Sequence, residues 1–194
     1  MPIHLRKLLI NGFLAALLLT SNGCTSIQLV SNYDETIDSQ ALALQKKFDT
    51  YFVSFSSSGN DKRDYRSQRS FYEEALVDLN SIQVRADGIY KNKLTSEQIS
   101  LARENLAYLV LLHKGCIKSP LSGEQKKQVR ENGVDLSMDC KKQNGADVDV
   151  EGRGDQKLNP FLVAPLQSLF NQHFGTIMAL ELAKKRGESN AGGN

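Results

Sequence analysis

The chain has 194 residues and a formal net charge of +2; 40% of its residues are apolar and 24% are charged. Residues 1–23 contain two basic residues, Arg6 and Lys7, and no acidic one, so the rest of the chain has 22 basic and 22 acidic residues and no net charge. A nucleic-acid-binding domain needs a basic patch or stripe, so the composition gives no support to a nucleic-acid partner. The length suits a single domain.

The first 23 residues have the three parts of an export signal. Arg6 and Lys7 supply a positively charged start, and an apolar segment follows from Leu8 to Leu19. Because a membrane-spanning helix needs about 20 apolar residues, this shorter segment favours a signal peptide over residues 1–23 rather than a transmembrane helix.

Small and polar residues end this segment as Ser21-Asn22-Gly23-Cys24. This end resembles the lipobox of bacterial lipoproteins, in which a small residue precedes an invariant cysteine, although Ser21 stands where Leu is usual and Asn22 is atypical. The resemblance implies that Cys24 receives a diacylglyceryl thioether and becomes the first residue of the mature protein. An ordinary cleaved signal peptide is the alternative. Thr25 replaces the Asp that tends to retain lipoproteins in the inner membrane of Gram-negative bacteria, which favours a periplasm-facing anchor in the outer membrane.

Lipidation of Cys24 would leave Cys116 and Cys140 as a pair. Exported compartments permit disulfide bonds, and closing this loop would stabilise the fold by about 3.5 kcal/mol on the chain-entropy model. We predict a structural disulfide, with two free thiols as the alternative. The sequence has no Cys-x-x-Cys motif, so a redox enzyme is not indicated.

A polar tether over residues 24–32 follows the signal. Its eight residues after Cys24 reach at most about 28 Å when extended, so the domain has to lie close to its membrane. From Asp34 to Phe55, apolar residues recur at alternating steps of four and three, which predicts an amphipathic helix. Its apolar positions are Ile37, Ala41, Leu44, Phe48, Tyr51, Phe52 and Phe55.

The same spacing predicts two further helices. One runs from about Ser67 to Tyr90. The next starts at Thr95, where Thr95-Ser96-Glu97-Gln98 has the form of a capping box. The two apolar stripes are Tyr72, Ala75, Leu79, Ile82, Ala86 and Ile89, and then Ile99, Ala102, Leu106, Leu109, Val110 and His113.

Residues 116–159 show little periodicity, so we expect a polar, partly mobile insertion with a short helix over residues 122–132. The last helix is predicted to begin near Asn159-Pro160, a cap followed by proline at the first position. Its stripe is Leu166, Leu169, Phe170, His173, Ile177 and Leu180. The sequence therefore predicts an all-α, four-helix-bundle-like domain over residues 33–187 with a flexible tail over residues 188–194.

His113 and His173 are the only histidines after residue 23, and both fall on apolar stripes. A di-iron bundle would need Glu-x-x-His pairs, but Val110 and Phe170 stand three residues before them. A Cys-x-x-Cys-His haem motif is also absent from the sequence. We interpret both as partly buried structural histidines, with a ligand or metal site near them as the alternative.

An acidic segment from Asp147 to Asp155 resembles the start of an EF-hand calcium loop, because oxygen ligands alternate and Gly152 occupies the sharp turn. The carboxylates are Asp147, Asp149, Glu151 and Asp155. The twelfth position, which should supply a bidentate Glu, is Leu158. We therefore expect a solvated loop and no cofactor, with metal binding by these four residues as the alternative.

Four stretches outside the insertion resemble a family of small, uncharacterised proteobacterial lipoproteins. They are Tyr33-Asp34-Glu35-Thr36-Ile37-Asp38, Phe71-Tyr72-Glu73-Glu74, Asn92-Lys93-Leu94-Thr95, and Leu180-Glu181-Leu182-Ala183-Lys184-Lys185-Arg186-Gly187. The resemblance covers most of the mature chain outside the insertion and implies no activity or site residue.

The sequence lacks Gly-x-Ser-x-Gly, a phosphate-binding loop and His-Glu-x-x-His, which weakens an enzymatic interpretation without excluding it. We predict a lipid-anchored periplasmic helical protein that binds another envelope component. The alternative is an enzyme, or a bundle that binds a small ligand or metal, with its site near His113 and His173.

Overall fold

Five helices form most of the part of the chain that the computed structural model describes, which comprises residues 30–57, 63–114, 123–132 and 157–191. They are α1 (Glu35–Ser57), α2 (Tyr65–Gly88), α3 (Lys93–His113), α4 (Gly123–Asn132) and α5 (Val163–Ala191), the last preceded by a 3₁₀ turn (Pro160–Leu162). Within these ranges no strand forms, and β-type pairing is limited to an isolated bridge between Asp64 and Lys157. The predicted all-α fold is confirmed.

The four long helices pack in a ring in which neighbours run antiparallel. α1 lies against α2 and α5, and α3 also lies against α2 and α5, which makes a four-helix bundle. The shorter α4 packs on α3. We call the end at which α1 begins the entry end, formed by residues 30–38, 85–97 and 181–188. The opposite end is the far end, formed by residues 51–57, 63–67, 108–113 and 157–163.

The inner face of α1 is the stripe that its sequence predicts. All seven expected positions are buried: Ile37, Ala41, Leu44, Phe48, Tyr51, Phe52 and Phe55. At the start of the helix, Oδ1 of Asp34 accepts a hydrogen bond from the N–H of Ile37 at 2.9 Å. This bond satisfies one of the N–H groups that the first turn of a helix leaves without a partner.

Phe48 lies at the centre of an aromatic core. Its ring meets Phe71 edge-on at 5.1 Å between centroids, and it lies 4.2 Å from Phe170 and 5.2 Å from Phe174. Beside it, Tyr51 stacks on Phe71 at 3.8 Å. Aromatic pairs contribute about 0.5–1.5 kcal/mol beyond the apolar area that they bury. This cluster therefore holds α1, α2 and α5 together.

The start of α3 differs from its prediction. The helix begins at Lys93, two residues before the expected Thr95, and Asn92 occupies the capping position. Thr95 is buried, and its hydroxyl donates a hydrogen bond to Oε1 of Glu181 at 2.9 Å instead of capping the helix. The expected capping box is wrong, because a buried acceptor on α5 takes up the same hydroxyl.

The predicted cap of the last helix is confirmed, and the helix ends later than predicted. The side chain of Asn159 accepts a hydrogen bond from the N–H of Phe161 at 3.0 Å. Pro165 lies in the first turn of α5, where its missing N–H costs no helical hydrogen bond. At its other end α5 continues to Ala191. Residues 188–191 therefore belong to the helix and not to a flexible tail.

Several predicted features lie outside the described residues. They are the signal peptide over residues 1–23, Cys24 and residues 25–29 of the tether, Cys116, Cys140, Asp147, Asp149, Glu151, Asp155, and the insertion apart from residues 123–132 and 157–159. Lipidation, the disulfide and the calcium-type loop remain predictions, whereas the short helix expected over residues 122–132 is confirmed as α4. Across the described ranges, no helix has the length and apolar character needed to cross a bilayer.

Candidate functional site

His113 lies at the far end of the bundle, in the last turn of α3, and its side chain is buried. Its Nδ1 is 2.7 Å from the hydroxyl oxygen of Tyr72, and its Nε2 is 2.9 Å from the carbonyl oxygen of Arg63. The Tyr72 hydroxyl lies 2.8 Å from that of Tyr51. Three hydrogen bonds in series therefore join α1, α2 and α3 to the segment that precedes α2.

The chemistry of the groups sets the direction of these hydrogen bonds. A carbonyl oxygen only accepts, so Nε2 of His113 carries a proton and donates to Arg63. In a neutral imidazole Nδ1 is then the acceptor, and the Tyr72 hydroxyl donates to it. The Tyr72 oxygen is left to accept the proton of Tyr51. Both ring nitrogens of His113 are therefore satisfied without a ligand.

Burial lowers the pKa of His113 to about 4, although the hydrogen bond to Arg63 and the charge of Asp64 act in the opposite direction. Burial also raises the pKa of Tyr72 and of Tyr51 well above the usual tyrosine range. All three side chains are therefore neutral near pH 7. A metal ion or a general base at His113 would require breaking one of these bonds inside the core.

His173 lies on α5 and is half-buried. Its Nε2 accepts a hydrogen bond from the side-chain amide of Asn105 at 2.8 Å, and that amide also donates to the carbonyl oxygen of Leu101 at 3.0 Å. Burial lowers the pKa of His173, while the nearby charge of Glu104 raises it. The acceptor role of Nε2 places the ring proton of the neutral form on Nδ1.

The two histidines have separate surroundings. His113 bonds to Tyr72 and Arg63 at the far end, whereas His173 bonds to Asn105, which precedes His113 on α3 by about 12 Å of helix at 1.5 Å per residue. In the described ranges, no group of three or more His, Cys, Asp or Glu side chains is arranged to hold a metal ion. The two histidines therefore do not form a shared site.

A second polar cluster occupies the entry end, and Asp34 is its first member. The Asp34 carboxylate caps α1 and also pairs with two nitrogens of the Arg85 guanidinium. The distances are 2.9 Å from Nε to Oδ1 and 2.9 Å from Nη2 to Oδ2. Partial burial by itself would raise the pKa of Asp34, but the hydrogen bonds from Arg85 and Ile37 and the Arg85 charge outweigh it and lower the pKa. Asp34 therefore joins the start of α1 to the end of α2 as a carboxylate.

Glu181 is the centre of this cluster and is fully buried on α5. Its Oε1 accepts hydrogen bonds from the Thr95 hydroxyl at 2.9 Å and from Nζ of Lys184 at 2.5 Å. Its Oε2 accepts one from the backbone N–H of Asp34 at 3.0 Å. A buried carboxylate is tolerated only when it is paired and hydrogen-bonded. Here Lys184 supplies the charge from the next turn of α5, and Thr95 and Asp34 supply hydrogen bonds from two segments distant in sequence.

Asn92 extends the cluster into the turn between α2 and α3. Its side-chain oxygen accepts hydrogen bonds from Lys184 at 2.5 Å and from the hydroxyl of Ser31 at 3.1 Å. Its side-chain nitrogen donates to the carbonyl oxygen of Ala86 at 3.2 Å. The backbone N–H of Ser31 donates to the carbonyl oxygen of Lys91 at 3.2 Å. The segment that leads into α1 is therefore held against this turn by hydrogen bonds.

Tyr33 completes the contacts of that leading segment. Its backbone N–H donates to the Glu188 carboxylate at 2.6 Å, and its hydroxyl donates to Asp38 at 3.0 Å. Nζ of Lys185 lies 4.8 Å from the centre of the Tyr33 ring, within cation–π range. Together with Ser31 and Asp34, Tyr33 attaches residues 31–34 to α2, to α5 and to the turn between α2 and α3.

The sequence predictions do not include this cluster, because Leu180 fits the apolar stripe of the last helix and Glu181 stands beside it. One signal was present: Glu181 lies four residues after Ile177 on the stripe, with a lysine three residues later. A charged residue at a core position with an opposite charge one turn away indicates a buried ion pair.

Comparison of the chain with protein-family models, curated proteins and solved structures finds no match in any of the three. The geometry of the two clusters is therefore the basis on which a function is proposed.

Proposed function

We propose that the chain is a lipid-anchored, periplasm-facing helical protein of the outer membrane that acts by binding another envelope component. The observation that carries the proposal is the attachment of residues 31–34 to the entry end of the bundle. Ser31, Tyr33 and Asp34 each bond to residues of other helices or of the turn between α2 and α3. A lipid on Cys24 would therefore hold one defined end of the bundle to the membrane.

A leading segment that is hydrogen-bonded to the bundle suits a lipid anchor better than a flexible linker would. A flexible linker leaves its domain free to rotate, whereas a segment that is hydrogen-bonded into the fold passes the position of the anchor to the whole domain. Asp34 bonds to Arg85 on α2 and to Glu181 on α5. The bundle and its leading segment would thus move as one body beside the membrane.

The alternative, an enzyme or ligand-binding bundle with its site near the two histidines, receives less support. Both ring nitrogens of His113 are used by Tyr72 and Arg63, and His173 bonds separately to Asn105. A catalytic base or metal ligand needs a lone pair that faces a substrate or an ion. His113 offers none in this arrangement.

Labelling with radioactive fatty acid in a Gram-negative host tests the anchor. The full chain and a Cys140→Ser variant are expected to incorporate label and to sediment with outer membranes, whereas a Cys24→Ala variant is expected to remain unlabelled. Cys140→Ser is the matched control because it removes a different cysteine and leaves Cys24 in place. Label in the Cys24→Ala variant, or none in the full chain, would contradict the anchor.

Crosslinking in intact cells tests the binding role. Val77 and Val84 lie two turns apart on α2 and are both exposed, so a photo-crosslinking residue at either position samples one outer face of the bundle. A discrete crosslinked envelope protein, identified by mass spectrometry, would support the role if the crosslink is lost when the other of these two valines is replaced by Asp. Turnover of a defined substrate by the purified mature protein, together with no discrete crosslink, would overturn it.

A further inference from the structure

Residues 89–94, the turn between α2 and α3 together with the first two residues of α3, expose apolar side chains at the entry end. Tyr90 is 83% exposed and Leu94 is 59% exposed. Val30 is also exposed, and the hydrogen bond from the N–H of Ser31 to the carbonyl oxygen of Lys91 places Val30 next to the turn. Single exposed apolar residues are common on protein surfaces, but three of them at one end of a bundle form a patch.

Two lysines accompany this patch. Nζ of Lys91 lies 5.2 Å from the centre of the Tyr90 ring, and the side chain of Lys93 is exposed and 3.6 Å from Glu97. The turn from Ile89 to Leu94 contains no acidic residue. Aromatic rings are enriched at the headgroup level of membranes, and lysines there lay their apolar stems along the lipid while the amine reaches the polar layer. The composition of the turn matches that interface.

The turn also has a fixed place relative to the chain that precedes the bundle. Six residue steps separate Cys24 from Val30, and they span at most about 22 Å. Asn92, inside the turn, accepts a hydrogen bond from Ser31 and so ties the turn to the leading segment. A lipid on Cys24 would therefore hold Val30 within about 22 Å of the bilayer, with the turn beside it.

We propose that the turn Ile89–Leu94 docks on the lipid surface that holds Cys24, with Tyr90 and Leu94 inserted among the headgroups and Lys91 and Lys93 against lipid phosphates. The inference rests on the lipid anchor proposed above. Anchor and turn together would make two contacts with the bilayer, so the bundle would stand on its entry end. The far end and the outer helix faces would then point into the periplasm.

Tryptophan fluorescence tests this docking, because the chain has no tryptophan of its own. The lipidated full chain is purified and reconstituted into vesicles of phosphatidylethanolamine and phosphatidylglycerol, with or without brominated acyl chains that quench tryptophan. A Tyr90→Trp variant reports on the turn. Phe161→Trp is the matched control, because Phe161 is an aromatic residue that is 87% exposed at the far end.

Brominated lipid is expected to quench Tyr90→Trp by about twofold or more, since an interfacial ring lies at headgroup depth, and to leave Phe161→Trp unchanged. Equal, weak quenching of both variants on vesicles that carry the protein would overturn the docking and leave the anchor standing. Protein that does not float with the vesicles would overturn the anchor and the docking together. A concentration-dependent blue shift of Tyr90→Trp without vesicles would assign the patch to a second copy of the chain and contradict the proposal.

Discussion

The carboxylate of Glu181 accepts a hydrogen bond from the backbone N–H of Asp34, 147 residues earlier in the chain, at 3.0 Å. Asp34 in turn caps α1 and binds Arg85, so this contact joins the start of the first helix to the last third of the final one. The Glu181 side chain is fully buried, so this hydrogen bond is shielded from water. The entry end of the bundle therefore depends on compensation of one buried charge.

Replacing Glu181 tests that dependence. A Glu181→Ala variant leaves Lys184 nearly buried without its charged partner, and breaking a buried ion pair in this way typically costs about 3–5 kcal/mol. Urea unfolding followed by circular dichroism should show a loss of that size in the free energy of unfolding. Glu188→Ala is the control, because Glu188 is exposed and should cost at most about 1 kcal/mol.

Removing both charges refines the same test. A Glu181→Leu, Lys184→Met double variant removes both buried ions, which is often neutral or stabilising relative to the intact pair, whereas removal of one partner leaves the other charge uncompensated. We expect it to be more stable than Glu181→Ala, measured in the same urea series. Equal costs for Glu181→Ala, Glu188→Ala and the double variant would show that the buried carboxylate has no special role.

His113 predicts a pH dependence of stability. Its pKa is about 4 in the folded protein and about 6.5 in an unfolded chain, so between these values the unfolded state binds more protons. The free energy of unfolding therefore rises with pH through this window, and the contribution is complete above about pH 6.5 and lost near pH 4, with a total of about 3 kcal/mol.

Urea unfolding at several pH values between 4 and 7 measures this effect. A His113→Gln variant keeps an acceptor for Tyr72 and a donor for Arg63 but does not titrate. Its free energy of unfolding should therefore change less steeply with pH, and the difference in slope should correspond to at most one bound proton. The lowered pKa of His173 acts in the same direction and remains in both proteins. Identical slopes for the two proteins would rule out the buried neutral imidazole.

The direction of the far-end hydrogen bonds predicts unequal costs for two tyrosine hydroxyls. Tyr72→Phe removes the donor to Nδ1 of His113 and the acceptor for Tyr51, so two buried groups lose partners at about 1–3 kcal/mol each. Tyr51→Phe removes only a donor, because the Tyr72 oxygen has already donated its proton to His113. Thermal unfolding should rank Tyr72→Phe as the less stable variant, and the reverse order would contradict the assigned tautomer.

The backbone conformation of Lys91 leads us to expect that replacing it with glycine stabilises the fold. Lys91 has a φ of 62°, which costs an L-residue roughly 1–2 kcal/mol and costs glycine nothing. Lys91→Gly should therefore raise the free energy of unfolding by about 0.5–1 kcal/mol, after allowance for the greater entropy of glycine in the unfolded chain.

Lys93→Gly is the matched control for this substitution. It removes the same charge two residues later, at the first position of α3, where a glycine is expected to lower stability by up to about 1 kcal/mol. Opposite signs for the two variants in one denaturation series are expected. Destabilisation of both would show that the Lys91 side chain matters more to the turn than its backbone conformation does.

The sequence predicts the core of α1 completely and that of α5 only in part. In α1 the stripe recurs at steps of four and three, and spacing identifies every buried position, while Leu42 and Val53 fall off the stripe and are exposed. In α5 the predicted Leu169, His173 and Leu180 are half-buried, whereas Phe174 and Glu181 are buried. Periodicity locates a face only to within about one residue, and the packing of Phe174 against Phe48 decides which neighbour turns inward.

The polar clusters lie beyond what spacing can predict. Thr95 matched a capping pattern, yet it bonds to Glu181, which lies on α5 and 86 residues later in the chain. Local patterns carry no information about a partner at that separation. The structural interpretation of His113 agrees with its bonds to Tyr72 and Arg63, although the sequence did not identify either partner.

Mass spectrometry of the intact protein from the outer-membrane fraction is the most direct test of the lipid anchor. The predicted result is a chain that begins at Cys24 and carries the added mass of a diacylglyceryl group and an N-linked acyl chain, with that mass located on the first tryptic peptide. A chain that begins at another residue, or a Cys24 that bears a free thiol, would contradict it.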